Sequence, residues 1–124
     1  MFEFAMGKPV YLQIAEWLEN EILKGNIKEN EQLPSQMDIA NALNVNPMTA
    51  GKGVGVLESR GVLEKRKRGC GIYVLADAKS RIYEYRKNEV LNNAIDELLV
   101  DASVLGLSVD ELCDLLKQRG GGVL

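Results

Sequence analysis

The 124-residue chain contains no histidine. That removes the commonest metal ligand and the commonest general base, and with them histidine-based triads and zinc sites with histidine ligands. Cysteine occurs only at Cys70 and Cys113. One pair is no disulfide framework, and no CxxC spacing points to a metal. No apolar run approaches the roughly 18 residues that a membrane span needs. The N-terminus, MFEFAMGKP, lacks a basic stretch followed by a long apolar one, so no signal peptide and a cytoplasmic protein are expected. An overall basic excess is also missing. The formal net charge is -3, which argues against a wholly basic nucleic-acid binder.

What is present is an ordinary globular composition, 46% apolar and 27% charged, with no internal repeat or low-complexity segment. The charge is unevenly spread. Residues 1 to 75 carry nine Lys/Arg and nine Asp/Glu, while 76 to 124 carry six against nine. The basic residues concentrate at Lys65, Arg66, Lys67 and Arg68. A local basic patch of this kind is the footprint by which nucleic-acid binding is recognised.

The chain reads as a series of punctuated elements. In PVYLQIAEWLENEILK (9 to 24), Tyr11, Ile14, Ala15, Leu18 and Ile22 form one helical stripe. Pro9 suits the first helical position, Gly25 the C-cap, and Trp17 lies on the flank. After a polar loop, Pro34 biases Leu33 to an extended conformation, and Ser35 opens a second helix with Asp38 at capping-box spacing. Asn44 is placed to end it in the left-handed conformation. Asn46 caps a third helix with Pro47 at its first position. Ala50, Gly53, Val54 and Leu57 share that helix's inner face. Two strands, 62 to 68 and 72 to 75, flank the hairpin glycines Gly69 and Gly71. This order is a winged helix–turn–helix. Asp77 is then expected to start a long helix running to about Leu105, closed by Gly106. Ser108 and Glu111 form a capping box for a last helix, and GGGVL (120 to 124) is expected to fray.

The glycines of AGKGVG (50 to 55) pose a choice between a phosphate-binding loop and a helix. A Walker loop needs GxxxxGK followed by Ser or Thr after a strand. Here Gly53 follows Lys52, and a capped helix start precedes it. The stretch is therefore read as a helix in which each glycine costs roughly 1 kcal/mol relative to alanine. Gly53 on the core face implies a helix backbone passing close by. Gly51 and Gly55 face outward, and either close approach to a DNA backbone or tolerance of a poor helix former explains them.

At this point the residues resemble a known family. P-x-Y-x-Q-I in the first helix, LPS before the second, VNPxT opening the third and RGxG in the hairpin are similar to the DNA-binding domain of the GntR family of bacterial transcription regulators. The likeness runs from about residue 8 to 75. The short helical tail resembles that of the YtrA-like subfamily. The resemblance implies an α+β architecture, with a winged helix–turn–helix over 1–75 and a two-helix dimerisation tail over 76–124. It implies a homodimer on a palindromic double-stranded DNA operator, most simply a repressor. Carried over residue by residue, the family's DNA contacts fall on Ser35, Gln36 and Met37, on Asn46, Pro47, Met48, Thr49, Gly51 and Lys52, and on Arg68, Gly69 and Gly71. Many members have arginine where this chain has Met37 and Gly51. Arginine reads guanine bidentately, so both departures weaken direct base readout.

Other readings attach to the same residues. The Lys65–Arg68 run also suits a solvated strand edge, and alternation puts its members on both faces. Cys70, between glycines and beside cations, is a candidate redox sensor or a neutral substitution. Cys113 is expected to be a small core residue. Asn46 and Thr49 serve both as helix-start residues and as phosphate-facing groups. In the tail, Val90, Leu91, Ala94, Ile95, Leu98, Leu99, Ala102 and Leu105 make a stripe wider than one internal contact needs, which favours a dimer seam. No enzyme chemistry and no cofactor is expected, and no residue points to a small-molecule effector. The rival function is a protein-interaction module that kept the fold and lost DNA binding, motivated by Met37, Gly51 and the acidic tail. A nucleotide-binding enzyme rests on the GKG triplet alone.

Overall fold

Helical periodicity places the first element where it is expected. In the computed structural model, which describes residues 3–66 and 71–120, α1 spans Val10–Lys24. Ile14, Ala15, Leu18 and Ile22 are buried, so the apolar stripe faces the core. Pro9 is the N-cap rather than the first helical residue; lacking an N–H, it forfeits no bond in either position. Trp17 and Phe4 pack, partly buried, against the core. The side chain of Gln13 ties the N-terminal arm to α1. It accepts from the Ala5 N–H at 2.7 Å and donates to the carbonyls of Ala5 and Lys8 at 2.9 and 2.8 Å.

α2 (Gln36–Leu43) and α3 (Pro47–Ser59) follow with the expected caps. Ser35 Oγ accepts from the Asp38 N–H at 3.0 Å, and Asn46 Oδ1 from the Met48 N–H at 2.7 Å. Each bond satisfies a helix N–H that has no partner within the helix. Between the helices Asn44 takes the left-handed conformation, φ 54°. Ile39, Ala40, Leu43, Ala50, Val54 and Leu57 bury the inner faces of both.

The hairpin pairs β1 (Leu63–Lys65) with β2 (Ile72–Val74) in antiparallel register, Leu63 opposite Val74 and Lys65 opposite Ile72. Val62, Arg66 and Leu75, expected in the strands, fall outside the ladder, and Lys67 and Arg68 lie outside the described residues. β2 has partners on both sides, because the loop before α2 lies along its other edge. The Leu33 N–H donates to the Ile72 carbonyl at 2.7 Å, and the Val74 N–H to the Glu31 carbonyl at 2.9 Å. Two-sided pairing leaves β2 no free edge and fixes the hairpin to the start of α2.

Gly53 has the packing role read from the sequence. A Cβ built there would lie 2.8 Å from Ile14 Cγ2 and 3.0 Å from the Tyr11 carbonyl oxygen. Gly55 meets nothing within 4 Å. The two should respond with opposite signs. Gly53→Ala is expected to destabilise by about 1–3 kcal/mol through overpacking against backbone. Gly55→Ala should stabilise by about 1 kcal/mol through helix propensity. Urea unfolding of both variants checks the pair.

Two compact units divide the chain, residues 1–84 and 85–124. α4 (Ala78–Tyr85) buries Ala78 and Ile82 in the first unit's core. In the second unit the helical path continues as a π segment, Arg86–Leu91, then α5 (Asn92–Leu105) and α6 (Val109–Gly120). The expected long helix is thus present, but its middle is wound more loosely. The Asn92 N–H bonds to the Lys87 carbonyl five residues back. Asn93 Nδ2 donates to the Glu89 carbonyl at 2.5 Å. Gly106, at φ 74°, ends α5, a conformation that costs a residue with a Cβ more than it costs glycine.

The capping box of α6 forms in both directions. The Ser108 N–H donates to Glu111 Oε1 and the Glu111 N–H to Ser108 Oγ, each at 3.1 Å. The bond from the Ser108 backbone, then that with its side chain, holds the Glu111 carboxyl below its ordinary value. Cys113 on the same helix is exposed, not the small core residue expected. Leu112, one position earlier, takes the buried side instead.

Candidate nucleic-acid interface

The start of α2 meets α3 where Gln36 lies against Gly51 and Pro47, and meets the hairpin beside Lys65 and Gly71. A cavity of about 260 Å³ lies between them, lined by Ser35, Gln36, Val54, Lys65 and Gly71 among others. Of the residues expected at the interface, Ser35, Gln36, Met37, Asn46, Met48, Lys52, Lys65 and Arg66 are exposed, and Pro47, Thr49, Gly51 and Gly71 are partly buried. Lys67, Arg68, Gly69 and Cys70, expected at the wing tip, lie outside the described residues.

Local caps explain why the surface has its shape. Asn46 turns the chain into α3, whose first turn leaves Met48 73% exposed while Ala50 is buried. A helix start of this kind presents N–H groups and a positive dipole end, which suits an anion such as a phosphate. Lys52, one turn further on, adds a full positive charge on the exposed side.

The two described members of the basic run differ. Arg66 Nε lies 3.2 Å from Glu64 Oε1, and its guanidinium stacks 3.9 Å above the Tyr73 ring. Its charge is engaged within the hairpin itself. Lys65 is exposed beside the cavity. Consecutive strand residues point to opposite faces, which is the reason the two have such different surroundings.

Gly51 acquires a structural partner that its sequence position does not suggest. The side chain of Gln36 reaches across from α2, and Nε2 donates to the Pro47 carbonyl at 2.7 Å. A Cβ on residue 51 would lie 2.7 Å from Gln36 Cδ and Oε1 and 2.8 Å from Nε2. The missing side chain is therefore the space in which Gln36 rests. At the hairpin, the amide of Gln32 similarly closes on Gly71, which has φ 85°. Neither contact could be read from periodicity, because each joins residues brought together by the turn between elements.

The expected dimer stripe lies on the π segment and α5. Val90, Leu91, Ile95, Leu98, Leu99 and Leu105 are 37–75% exposed, and Ala94 is exposed too. Ala102 differs, being buried within the single chain at 6%. Val100 and Val104, outside the stripe, are also exposed, at 62% and 80%. Among the described residues no group of three or more His, Cys, Asp or Glu is placed to hold a metal. No helix there is long and apolar enough to cross a membrane.

Comparison with known proteins agrees with this geometry. Residues 10–74 match the bacterial regulatory proteins of the gntR family. The HTH-type transcriptional repressor YtrA of Bacillus subtilis is 31% identical over 93% of this chain and 87% of its own length. The HTH-type transcriptional regulator YhcF of the same organism is 27% identical over 93% of each chain. A solved GntR family transcriptional regulator from Listeria monocytogenes superposes with a TM-score of 0.75 at 26% identity, covering 93% of this chain and 98% of that one. A winged helix–turn–helix followed by short C-terminal helices, matched along nearly its whole length by regulators, identifies the chain as a DNA-binding transcription regulator rather than an enzyme, and it belongs to the GntR family.

Proposed function

We propose that this regulator is a repressor that binds a palindromic operator as a homodimer. The observation that carries the reading is the start of α3, where Asn46, Met48 and Lys52 are exposed next to the Gln36 side chain. The name of the relative YtrA, a transcriptional repressor, supports the sign of regulation. The apolar stripe from Val90 to Leu105 supports self-association, because contiguous exposed apolar surface on this scale marks an interaction site. Two-fold symmetry would set the two α3 helices one DNA turn apart, roughly 34 Å, or a multiple of it. Ser35, Gln36, Met37, Asn46, Pro47, Met48, Thr49, Gly51, Lys52, Lys65, Arg66 and Gly71 would then line the DNA. Lys67, Arg68 and Gly69 are assigned to the same surface by the family likeness alone.

Phosphate contacts position a protein on DNA without reading bases. Binding led by Lys52 and Lys65 should therefore weaken steeply with salt. If each protomer neutralises about two phosphates, the dimer neutralises about four, and affinity should fall about a hundredfold between 50 and 200 mM salt. Fluorescence anisotropy with DNA from upstream of the protein's own operon measures this. A nearly flat response would sink the phosphate-led mechanism. No binding even at low salt would favour the rival, an interaction module that has lost DNA recognition.

A further inference from the structure

We infer that the recognition surface selects A·T base pairs, with Gln36 reading adenine and Met37 and Met48 packing on thymine methyl groups. The inference rests on the DNA-binding reading above and specifies what that surface discriminates. Its starting point is the carboxamide of Gln36. The Pro47 carbonyl can only accept, so the atom 2.7 Å from it must be Nε2, and the orientation of the amide is fixed by chemistry. Nε2 carries two hydrogens. One is used on Pro47, which leaves one N–H and Oε1. A donor beside an acceptor on one planar group is what the N7 and N6 edge of adenine requires in the major groove.

The position of that group matters as much as its chemistry. Gln36 lies over Gly51, on the exposed side of α3, and any side chain at 51 would displace it. Gly55, one turn on, is open to space. With the Gly51 space taken by the Gln36 amide itself and Gly55 bare, a groove edge that approaches this side of α3 meets the amide. An anchored amide also loses less rotamer freedom on binding than a free glutamine would. Gly51 thus gives the surface a different reader, not simply the loss of one.

The neighbouring side chains point to the same bases. Met37, beside Gln36 in the first turn of α2, is 56% exposed, and Met48, in the first turn of α3, is 73% exposed. Exposed apolar side chains on a DNA-facing surface suit the one apolar group in the major groove, the C5-methyl of thymine. Among the described interface residues no arginine accompanies them except Arg66, which is engaged by Glu64 and Tyr73. On the described residues of α2 and α3 the charged reader left for guanine is Lys52, a point charge without arginine's planar fork.

Selection of duplexes from a random pool by the full chain, followed by anisotropy on the selected half-site, tests this. The enriched positions under α3 should be A·T. Changing one such pair to G·C should weaken the wild type about tenfold and leave Gln36→Ala changed less than about twofold. Replacing the adenine by 7-deazaadenine removes the N7 acceptor without altering groove shape. It should weaken the wild type and not Gln36→Ala, a difference that readout of DNA shape does not produce. Uracil in place of thymine removes one methyl and should cost the wild type about fourfold, an effect lost in Met48→Ala or Met37→Ala. All three substitutions are at exposed positions, and thermal unfolding confirms that each variant folds. G·C enrichment under α3, or an unchanged preference in Gln36→Ala, overturns the assignment while DNA binding stands. Failure of the wild type to bind any duplex at low salt overturns the DNA-binding reading and this proposal with it.

Discussion

Leu98→Glu should leave the chain folded and make it monomeric, with operator affinity lower by about two to four orders of magnitude. Leu98 is 37% exposed in the single chain, so a carboxylate there retains access to water and the monomer tolerates it. In a two-fold seam the same position would face its own copy or the partner's Ile95 and Leu91 equivalents, and two buried carboxylates would oppose association. The effect on DNA follows from linkage. A dimer places its second reading surface near the second half-site once the first is bound, and that gain disappears when the subunits separate. Sedimentation velocity over a concentration series reads the oligomeric state, and anisotropy reads the affinity. A variant that stays dimeric and binds as tightly as the wild type would rule out this stripe as the seam.

Arg60→Ala is expected to cost about 3 kcal/mol of stability in the first unit, the low end for breaking a buried ion pair. Arg60 Nη1 lies 3.4 Å from Glu19 Oε2, and the Glu19 side chain is only 3% exposed. Removing the cation takes away a charge that helps compensate a carboxylate shielded from water. The lower figure applies because Arg60 keeps 24% of its side chain in solvent, where much of its own charge is already hydrated. The pair joins α1 to the residue that caps α3, so its loss should also loosen the helix that carries the reading surface. Urea titration gives the stability change. Arg60→Lys should recover part of it, since a point charge replaces the fork incompletely. A loss below about 0.5 kcal/mol would mean that the pair behaves as an exposed one.

Much of this architecture was legible in one sequence because its signals are local. Asn46–Pro47 opening α3 and Ser108–Glu111 opening α6 are short-range hydrogen-bonding patterns, and each forms as written. Gly106 and Asn44 stop helices where the backbone needs a left-handed residue. The inner faces of α1, α2 and α3 follow from helical spacing. The close approach of α1 to Gly53 could be inferred as well, since a glycine on a core face leaves room for something.

The misses share the opposite property. The buried Glu19–Arg60 pair joins residues 41 apart in sequence, and Gln13 is buried by an arm that has no periodicity of its own. The π segment at Arg86–Leu91 has no residue pattern that announces it. Cys113 borders the apolar face of α6, which suggests a core position, yet a short helix on a small unit buries a narrow strip, here Leu112.

The sequence by itself determined the order of elements and most of their caps, because those depend on hydrogen bonds and side-chain spacing within a few residues. Tertiary structure decided what the surface around α3 presents. Only the family resemblance marks Gly51 as the place of an absent arginine. Packing α2 against α3 puts the Gln36 amide into that space and fixes it on Pro47. Pairing of the two strands likewise brings the Tyr73 ring beneath the Arg66 guanidinium. Contacts of this kind depend on how separate elements meet in three dimensions, which spacing along one chain does not encode.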